Sequence, residues 1–459
     1  MNSKKKVVIA GGRGFIGQAL IAALADSFEI IGLSRRSQES DGGVEWRACD
    51  LFSRAQTQEA LKGADIAVYL VHSMLPSARL TQGDFEDMDL ICADNFARGA
   101  LANGVQHIVY LGGILPKGTG VSRHLESRHE VEIALAAYGT PVTSLRAGLI
   151  VGPNGSSTAI VVRLVKKLPV MLCPAWTRMN TQPIALQDVV HLLKFCLENP
   201  EQTKNQVFDI GGRELMTYKG MMAETARIMG VKRLMMDVPF DSPRISSGWV
   251  STFTEAPLEL VAPLIESLQH SMVAEDSRLL EMAGLEPTPF EISMREAVEF
   301  EFQKSKNPVA FDKKGSRNAE ESTVRSAQRL PLPQGKHATW VAEEYARWLP
   351  DFLAPLMRVK VQDRMTCFYV KGITRPLLEL ELAEISAEDR QVFWIRGGLL
   401  AHPNPKGRLE FREVLGGRAT LAAIHDFRPK LPWYIYRYSQ ALAHLFVMHG
   451  FSEHLSEST

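Results

Sequence analysis

Three glycines near the start of the chain have the spacing of a phosphate-binding turn. Gly11, Gly14 and Gly17 follow a short apolar run and precede a segment with helical periodicity, residues 18–24. In a strand–turn–helix corner the first glycine permits the tight turn, and the second lets the backbone approach a pyrophosphate. The third lets the helix pack closely on the strand. The N-terminus of the helix then offers free N–H groups and the positive end of its dipole to phosphate. The cofactor-binding residues predicted at this corner are Gly11, Arg13, Gly14, Phe15, Ile16 and Gly17.

The end of the second apolar run bears on the choice of cofactor. Residues 28–34 read as a strand, which ends in Ser34-Arg35-Arg36. A site for NAD usually has Asp or Glu here to hold the ribose 2′-hydroxyl. Two guanidinium groups can instead hold a 2′-phosphate, so the sequence predicts NADP rather than NAD. The alternative is that both arginines are solvated loop charges.

A histidine and an arginine are spaced one helical turn apart in a predicted helix. His124 and Arg128 share one face of it, because residues four apart are neighbours on a helix surface. Histidine titrates near neutral pH and could donate a proton. Arginine keeps its charge and could orient a phosphate, a carboxylate or a ribose hydroxyl. The predicted catalytic residues are therefore His124 and Arg128. The alternative is a polar helix face that contacts the cofactor without catalysis.

Apolar strands alternating with helical segments position these residues. In a doubly wound parallel sheet, ligands bind beyond the carboxyl ends of the strands. Further strands are predicted at residues 44–51, 64–74, 107–113 and 143–153. The predicted cofactor contacts at the ends of the fourth and fifth strands are Leu70, Val71, His72 and Gly112.

The motifs of residues 5 to 300 together resemble those of a known superfamily. The spacing G-x-x-G-x-x-G and the run Leu145-Arg146-Ala147-Gly148 resemble atypical short-chain dehydrogenases/reductases, near the NmrA-like and complex I accessory-subunit-like proteins. This resemblance implies that Asp50 and Leu51 contact the adenine and that Ala147 and Gly148 lie by the nicotinamide. Asp50 could alternatively cap the following helix.

The same resemblance marks two departures from catalytic members of the superfamily. Those enzymes carry Ser or Thr where this chain has Gly112-Gly113, and a Tyr-x-x-x-Lys pair where it has His124 and Arg128. In them the Lys lowers the pKa of the Tyr, which passes a proton to the carbonyl. Some members reduce or isomerise small molecules, whereas others bind the nucleotide for sensing or structure.

The regular alternation ends near residue 155, where the resemblance implies a small substrate lobe extending to about residue 302. Its candidate pocket residues are Trp176, Arg178, Asn180 and Gln182. Residues 303–329 are charged and poor in large apolar residues, which predicts a linker. The predicted domains are therefore residues 1–302, with the lobe at about 155–302, the linker 303–329 and a last domain 330–459.

The last domain has the period of antiparallel strands. Leu378, Leu380 and Leu382 alternate with glutamates, and Gly416-Gly417 predicts a hairpin turn. Residues 431–455 read as one amphipathic helix. Its predicted apolar stripe is Tyr434, Tyr438, Leu442, Leu445, Phe446 and His449. A meander closed by a long helix resembles the START-like helix-grip fold, which encloses an apolar cavity. The alternative is an α+β domain whose aromatic stripe is core.

The composition excludes several classes of protein. The 459 residues include 52 basic and 52 acidic side chains, so no global field favours nucleic acid or an anionic membrane. The five cysteines form no C-x-x-C pair, from which we expect no metal site or disulfide framework and a cytoplasmic location. No apolar stretch reaches about 18 residues, so no transmembrane segment is expected.

The sequence predicts an α/β fold of Rossmann type, a doubly wound parallel sheet with a small substrate lobe. A C-terminal α+β domain with an antiparallel sheet and a long terminal helix follows it. The predicted function is that of an NADP-linked oxidoreductase acting on a small apolar carbonyl or alkene. The alternative is a non-catalytic dinucleotide-binding protein, for redox sensing or structure, with a ligand-binding C-terminal domain.

Overall fold

The computed structural model describes residues 4–35, 42–72, 80–117, 120–239, 242–306 and 323–458. It divides into two compact units. The N-terminal unit contains Met1–Met74 and Ile91–Ala310, and the C-terminal unit contains Leu75–Leu90 and Phe311–Thr459.

The N-terminal unit contains most of the regular elements. Its strands are β1 (Lys6–Ala10), β2 (Glu29–Ser34), β3 (Val44–Ala48), β4 (Ile66–Tyr69), β6 (His107–Gly113), β7 (Val142–Ala147), β8 (Ile150–Val151), β9 (Val170–Cys173), β10 (Asn180–Thr181), β11 (Ile184–Ala185), β12 (Val207–Ile210), β13 (Met216–Thr217) and β14 (Leu234–Asp237). A further strand, β5 (Leu80–Gln82), belongs to the C-terminal unit.

Helices α1 to α12 follow in chain order. They are α1 (Phe15–Leu24), α2 (Arg54–Ala60), α3 (Phe85–Ala102), α4 (Arg123–Ala136), α5 (Ser156–Lys167), α6 (Leu186–Glu198), α7 (Pro200–Thr203), α8 (Tyr218–Ile228), α9 (Pro243–Thr254), α10 (Leu258–Ser267), α11 (Arg278–Met282) and α12 (Phe290–Lys306). The boundary between the two units lies within α3.

A seven-stranded parallel sheet forms the centre of the N-terminal unit. Its order is β3-β2-β1-β4-β6-β7-β12, which confirms the predicted doubly wound architecture. Val7, Val8 and Ile9 of β1 are fully buried, as expected for a strand covered on both faces. Val7 pairs with Ile30 on one side and Ile66 on the other, which places β1 at the middle of the sheet.

A second apolar core lies outside the parallel sheet. Helices α5, α8, α9 and α12 contribute Val161, Met222, Val250 and Met294 to it, and Trp176 is buried among them. The predicted linker 303–329 has regular structure at both ends, because α12 continues to Lys306 and β15 (Val324–Pro331) begins before Arg329. Residues 307–322 lie outside the described ranges.

The C-terminal unit is a sheet with two long helices. After β15 come β16 (Met357–Gln362), β17 (Met365–Val370), β18 (Leu378–Leu382), β19 (Arg390–Gly397), β20 (Arg408–Val414) and β21 (Ala419–Phe427), with α13 (Ala338–Phe352), α14 (Trp433–Tyr438) and α15 (Gln440–Glu457). The order β16-β17-β18-β19-β20-β21-β15-β5 is antiparallel except between β15 and β5. Gly416 and Gly417 both have positive φ between β20 and β21, which confirms the predicted hairpin turn.

One apolar face of this sheet packs against α13 and α15. Phe411 of β20 lies beside Tyr345 of α13, and the ring of Tyr345 lies 5.1 Å from that of Phe451 on α15. These rings fill the space between helices and sheet.

The opposite side of β20 carries a buried charge cluster. The carboxylate of Glu410 accepts hydrogen bonds from Arg390 (2.8 Å) and Arg412 (2.6 Å). Burial opposes ionisation of Glu410, but the charges of Arg412 and Arg390 outweigh it and hold its pKa well below the usual range. Burial, followed by the charge of Arg408, lowers the pKa of the adjacent His425.

The terminal helical segment differs from the prediction in two respects. It is broken at Ser439, whose φ of −129° and ψ of −84° separate α14 from α15. The side chains facing the core are Tyr436, Ala441, Met448, Phe451 and Leu455. The predicted apolar stripe from Tyr434 to His449 is exposed, so its assignment to the core is wrong. Both faces carry apolar residues, and periodicity alone cannot show which of them meets the sheet.

Candidate functional site

The glycine corner has the close backbone approach that its spacing predicts. Gly11 has a φ of +86°, and Gly14 N–H donates to the carbonyl oxygen of Gly11 at 2.8 Å. A Cβ at Gly17 would lie 2.3 Å from that same oxygen, which only glycine avoids. In the described part of the chain, no side chain caps the N-terminus of α1. The first N–H groups of α1 are therefore available to an anionic ligand.

Arg13 in the glycine turn is held by a tryptophan that sequence reasoning missed. Its guanidinium carbon lies 4.5 Å from the ring centroid of Trp46 on β3. Trp46 pairs with Gly32 of β2, and a Cβ at Gly32 would lie 2.5 Å from its ring. The available signal was a glycine in the middle of an otherwise apolar strand.

The end of β2 presents the predicted phosphate-binding residues. Ser34 is the last residue of β2 and is half-buried, and Arg35 directly after it is exposed. Arg36 lies outside the described residues. Arg13, stacked on Trp46, and Arg35 are thus two described cations close to β2.

Asp50 and Leu51 lie in the turn after β3. The carboxylate of Asp50 accepts a hydrogen bond from Phe52 N–H at 3.2 Å. The cap of α2 is Ser53, so the alternative role of Asp50 as helix cap is wrong. The Leu51 carbonyl accepts from Asn95 Nδ2 at 2.8 Å, which fixes the turn.

The ends of β4, β6 and β7 border the same edge of the sheet. Leu70 contacts the glycine corner, since a Cβ at Gly11 would lie 2.9 Å from the Leu70 carbonyl oxygen. Val71 follows it, and His72 is exposed. A Cβ at Gly112 would lie 2.8 Å from the ring of Tyr110. Two further residues predicted to contact the cofactor, Ala147 and Gly148, lie at the end of β7.

The predicted pair lies in the first two turns of α4. Ser122 caps this helix by accepting from Leu125 N–H at 3.3 Å. Arg128 is buried, its Nη1 donates to the Val71 carbonyl at 3.5 Å, and its own carbonyl accepts from Tyr110 Oη at 3.0 Å. The structure thus brings Arg128 to the end of β4.

The ionisation of His124 differs from that of an ordinary histidine. Burial, then the charges of Arg128 and His72, lowers its pKa from 6.5 to about 3. Its ring is therefore neutral at physiological pH. The pKa of His124 thus lies below the near-neutral value that the residue type suggested.

Other motif residues have structural partners. Arg146 of β7 makes two hydrogen bonds to Glu132 of α4, at 3.0 and 2.7 Å. Trp176 is buried and donates to Ser246 Oγ at 3.2 Å. Gln182 donates to the Gly212 carbonyl at 2.7 Å and accepts from Ala274 N–H at 3.1 Å.

Of the predicted lobe residues, Arg178 and Asn180 are exposed, whereas Trp176 and Gln182 serve the packing of the lobe. Within the described residues, no group of three or more His, Cys, Asp or Glu side chains could hold a metal ion. In those same ranges no helix is long and apolar enough to cross a membrane.

One curated relative matches part of the chain. It is the auxiliary protein GraX of Staphylococcus aureus (strain NCTC 8325 / PS 47), 35% identical over 144 residues. The match covers 30% of this chain and spans 43% of the length of that relative.

Solved structures share the fold of about two thirds of the chain. A nucleoside-diphosphate-sugar epimerase from Staphylococcus aureus has a TM-score of 0.52 and 16% identity, covering 63% of this chain and 100% of that one. The NADPH-dependent quinone oxidoreductase QOR2 from Escherichia coli, in complex with NADPH, has a TM-score of 0.51 and 17% identity, covering 64% and 99%. At these identities the likeness concerns the fold alone. In sequence, residues 7–211 match the NAD dependent epimerase/dehydratase family, and this match contains the glycine corner and every strand of the parallel sheet except the first residue of β1.

Proposed function

We propose that the N-terminal unit binds NADP(H) at the glycine corner and that the protein is an oxidoreductase acting on a small apolar carbonyl or alkene. The observation that carries the proposal is the uncapped N-terminus of α1 above the close contact of Gly17 with Gly11. This arrangement suits a pyrophosphate. A bound NADPH would supply a hydride.

Two features support NADP over NAD. Residues 34–36 contain no carboxylate that would repel a 2′-phosphate. Arg13 stacks on Trp46, and Trp46 pairs with β2. The charge of Arg13 therefore lies on the side of the corner where the adenosine ribose binds in such folds. Arg35 adds a second, exposed cation at the end of β2.

Arg128 is the residue we assign to stabilisation of charge on the substrate. Addition of a hydride to the carbon of a carbonyl leaves negative charge on the oxygen. A buried, preorganised cation stabilises such charge more than water does. Because His124 is neutral, the proton that completes the reduction would come from water, and His124 would shape the pocket beside Arg128.

A non-catalytic, dinucleotide-binding role is the second candidate function. It is favoured by the lowered pKa of His124, which stands where catalytic members of the superfamily carry the proton-donating Tyr. It is also favoured by Gly112-Gly113 at the end of β6, where those members carry the Ser or Thr that binds the substrate carbonyl. Epimerase activity is disfavoured for the same reason, because its chemistry also depends on the Tyr/Lys pair that this chain lacks.

The test is NADPH oxidation with a panel of quinones, enones and aldehydes. Arg128→Gln should lower kcat by about a hundredfold or more, as does loss of a transition-state donor. Arg128→Lys should retain part of the activity, and Arg123→Gln, an exposed arginine on the same helix, is the matched control. A wild-type protein that binds NADPH tightly but is inert across the panel would favour the non-catalytic role.

For the C-terminal unit we propose a START-like fold on architecture alone, a meander closed by a terminal helix. The packed rings of Tyr345, Phe411 and Phe451 fill the space where such folds enclose a ligand. Because these rings occupy that space, we propose that the C-terminal unit binds its ligand or partner on its outer surface.

A further inference from the structure

The exposed side of α14 and α15 carries an unusual density of large apolar side chains. We define the α14–α15 surface by Tyr434, Ile435, Tyr438, Leu442, Leu445 and Phe446. The exposed fractions of Tyr434 and Tyr438 are 71% and 72%, and that of Phe446 is 62%. Single exposed apolar residues are ordinary, but a contiguous set marks an interaction site.

The two helices are held so that this surface faces away from the core. Tyr436 of α14 and Met448 and Phe451 of α15 are buried against the unit. On α15, Leu442 and Phe446 lie on the side roughly opposite to Met448 and Phe451, as a 3.6-residue period requires. Leu445 lies at the border between the two sides. The Ser439 hydroxyl donates to the Ile435 carbonyl at 2.6 Å and fixes the join between the helices.

The charged side chains of residues 427–452, the segment that carries the α14–α15 surface, are all basic. Arg428, Lys430 and Arg437 are exposed, and the Arg437 guanidinium lies 5.7 Å from the ring centroid of Tyr438. No Asp or Glu occurs between Asp426 and Glu453. An apolar helix face with tyrosines, on a segment whose charged side chains are all basic, has the composition of an element that lies in a membrane interface.

We propose that the α14–α15 surface binds the surface of an anionic lipid bilayer. The apolar side chains enter the boundary between headgroups and acyl chains, and the three cations attract anionic headgroups. Self-association through this surface fits less well, because a twofold contact sets the same patch of each copy against the other. The cations of one copy would then approach those of the second, which is unfavourable.

The test is sedimentation of the full chain with vesicles of phosphatidylglycerol and phosphatidylcholine, or of phosphatidylcholine alone. Wild type should sediment with the anionic vesicles and be released as ionic strength rises, since the attraction decays within a Debye length. The double variant Tyr438→Ser/Phe446→Ser should lower the partition coefficient about tenfold or more. Arg437→Gln should lower it about fivefold on anionic vesicles only. Leu215→Ser, which removes a side chain 60% exposed in the other unit, is the control.

Three results would overturn the proposal. In the first, wild type stays in solution with anionic vesicles at low salt. In the second, the double variant sediments as well as wild type while circular dichroism reports the same fold. In the third, light scattering finds that wild type is a dimer and that the double variant is a monomer, while wild type does not bind vesicles. This result would assign the surface to a second copy of the chain.

Discussion

Replacement of His124 by glutamine should change how the stability of the N-terminal unit depends on pH. The pKa of His124 is about 3 in the folded chain, against an ordinary value of 6.5. Below the ordinary value the unfolded chain binds a proton that the folded chain does not. The free energy of unfolding therefore falls as the pH drops from 6.5 towards 3, and this contribution disappears with the imidazole.

The expected size follows from the width of that window. At about pH 5 the unfolded histidine lies about 1.5 pH units below its pKa, which corresponds to about 2 kcal/mol. The loss of stability between about pH 8 and about pH 5 should thus be smaller by about 2 kcal/mol in His124→Gln than in wild type. Burial lowers the pKa of His107 to about 4. His107 contributes equally to the pH dependence of both proteins, so its effect cancels from the difference.

The assay is urea denaturation of both proteins at the two pH values, without added nucleotide. His449→Gln, which removes a side chain 77% exposed, controls for the loss of an exposed histidine. Equal pH dependence of wild type and His124→Gln would refute the assignment of a neutral, half-buried ring. Direct observation of the imidazole by NMR provides an independent check, because its resonances should not titrate between about pH 5 and 8.

Three further predictions concern the glycine corner and the C-terminal unit. Gly17→Ala should abolish NADPH binding in calorimetry, because its Cβ would lie 2.3 Å from a backbone oxygen, whereas Gly248→Ala on α9 has open space and should bind normally. Trp46→Leu should weaken NADPH binding by about tenfold and leave NADH binding nearly unchanged, because the substitution releases Arg13, which stacks on Trp46. Equal losses of affinity for both nucleotides would contradict this. Glu410→Gln should cost the C-terminal unit about 3–5 kcal/mol in thermal or urea unfolding, because buried arginines lose their counter-charge. The exposed Glu384→Gln should change that stability by less than about 0.5 kcal/mol, and a similar effect of both would argue against the buried cluster.

The glycine corner was predictable because its constraint is local. Gly11 needs positive φ, and Gly17 must approach the turn only six residues earlier. The doubly wound parallel sheet was predictable from apolar strands that alternate with helical segments, since such units allow few arrangements.

The rest depended on contacts distant in sequence. The lowered pKa of His124 comes chiefly from burial, which its residue type and spacing do not encode. Trp46 was missed because its role depends on pairing with Gly32 on a neighbouring strand. The face of α15 that meets the sheet was assigned incorrectly, because Leu442 and Phe451 lie on two different faces that are both apolar.

The most direct test of the account is a calorimetric titration of the full chain with NADPH and with NADH. Binding at the glycine corner predicts saturation by one NADPH per chain, with NADH weaker by about tenfold or more because the arginines near β2 lose the 2′-phosphate. Failure of both nucleotides to bind would contradict the dinucleotide site itself, and equal affinity would contradict the preference for NADP.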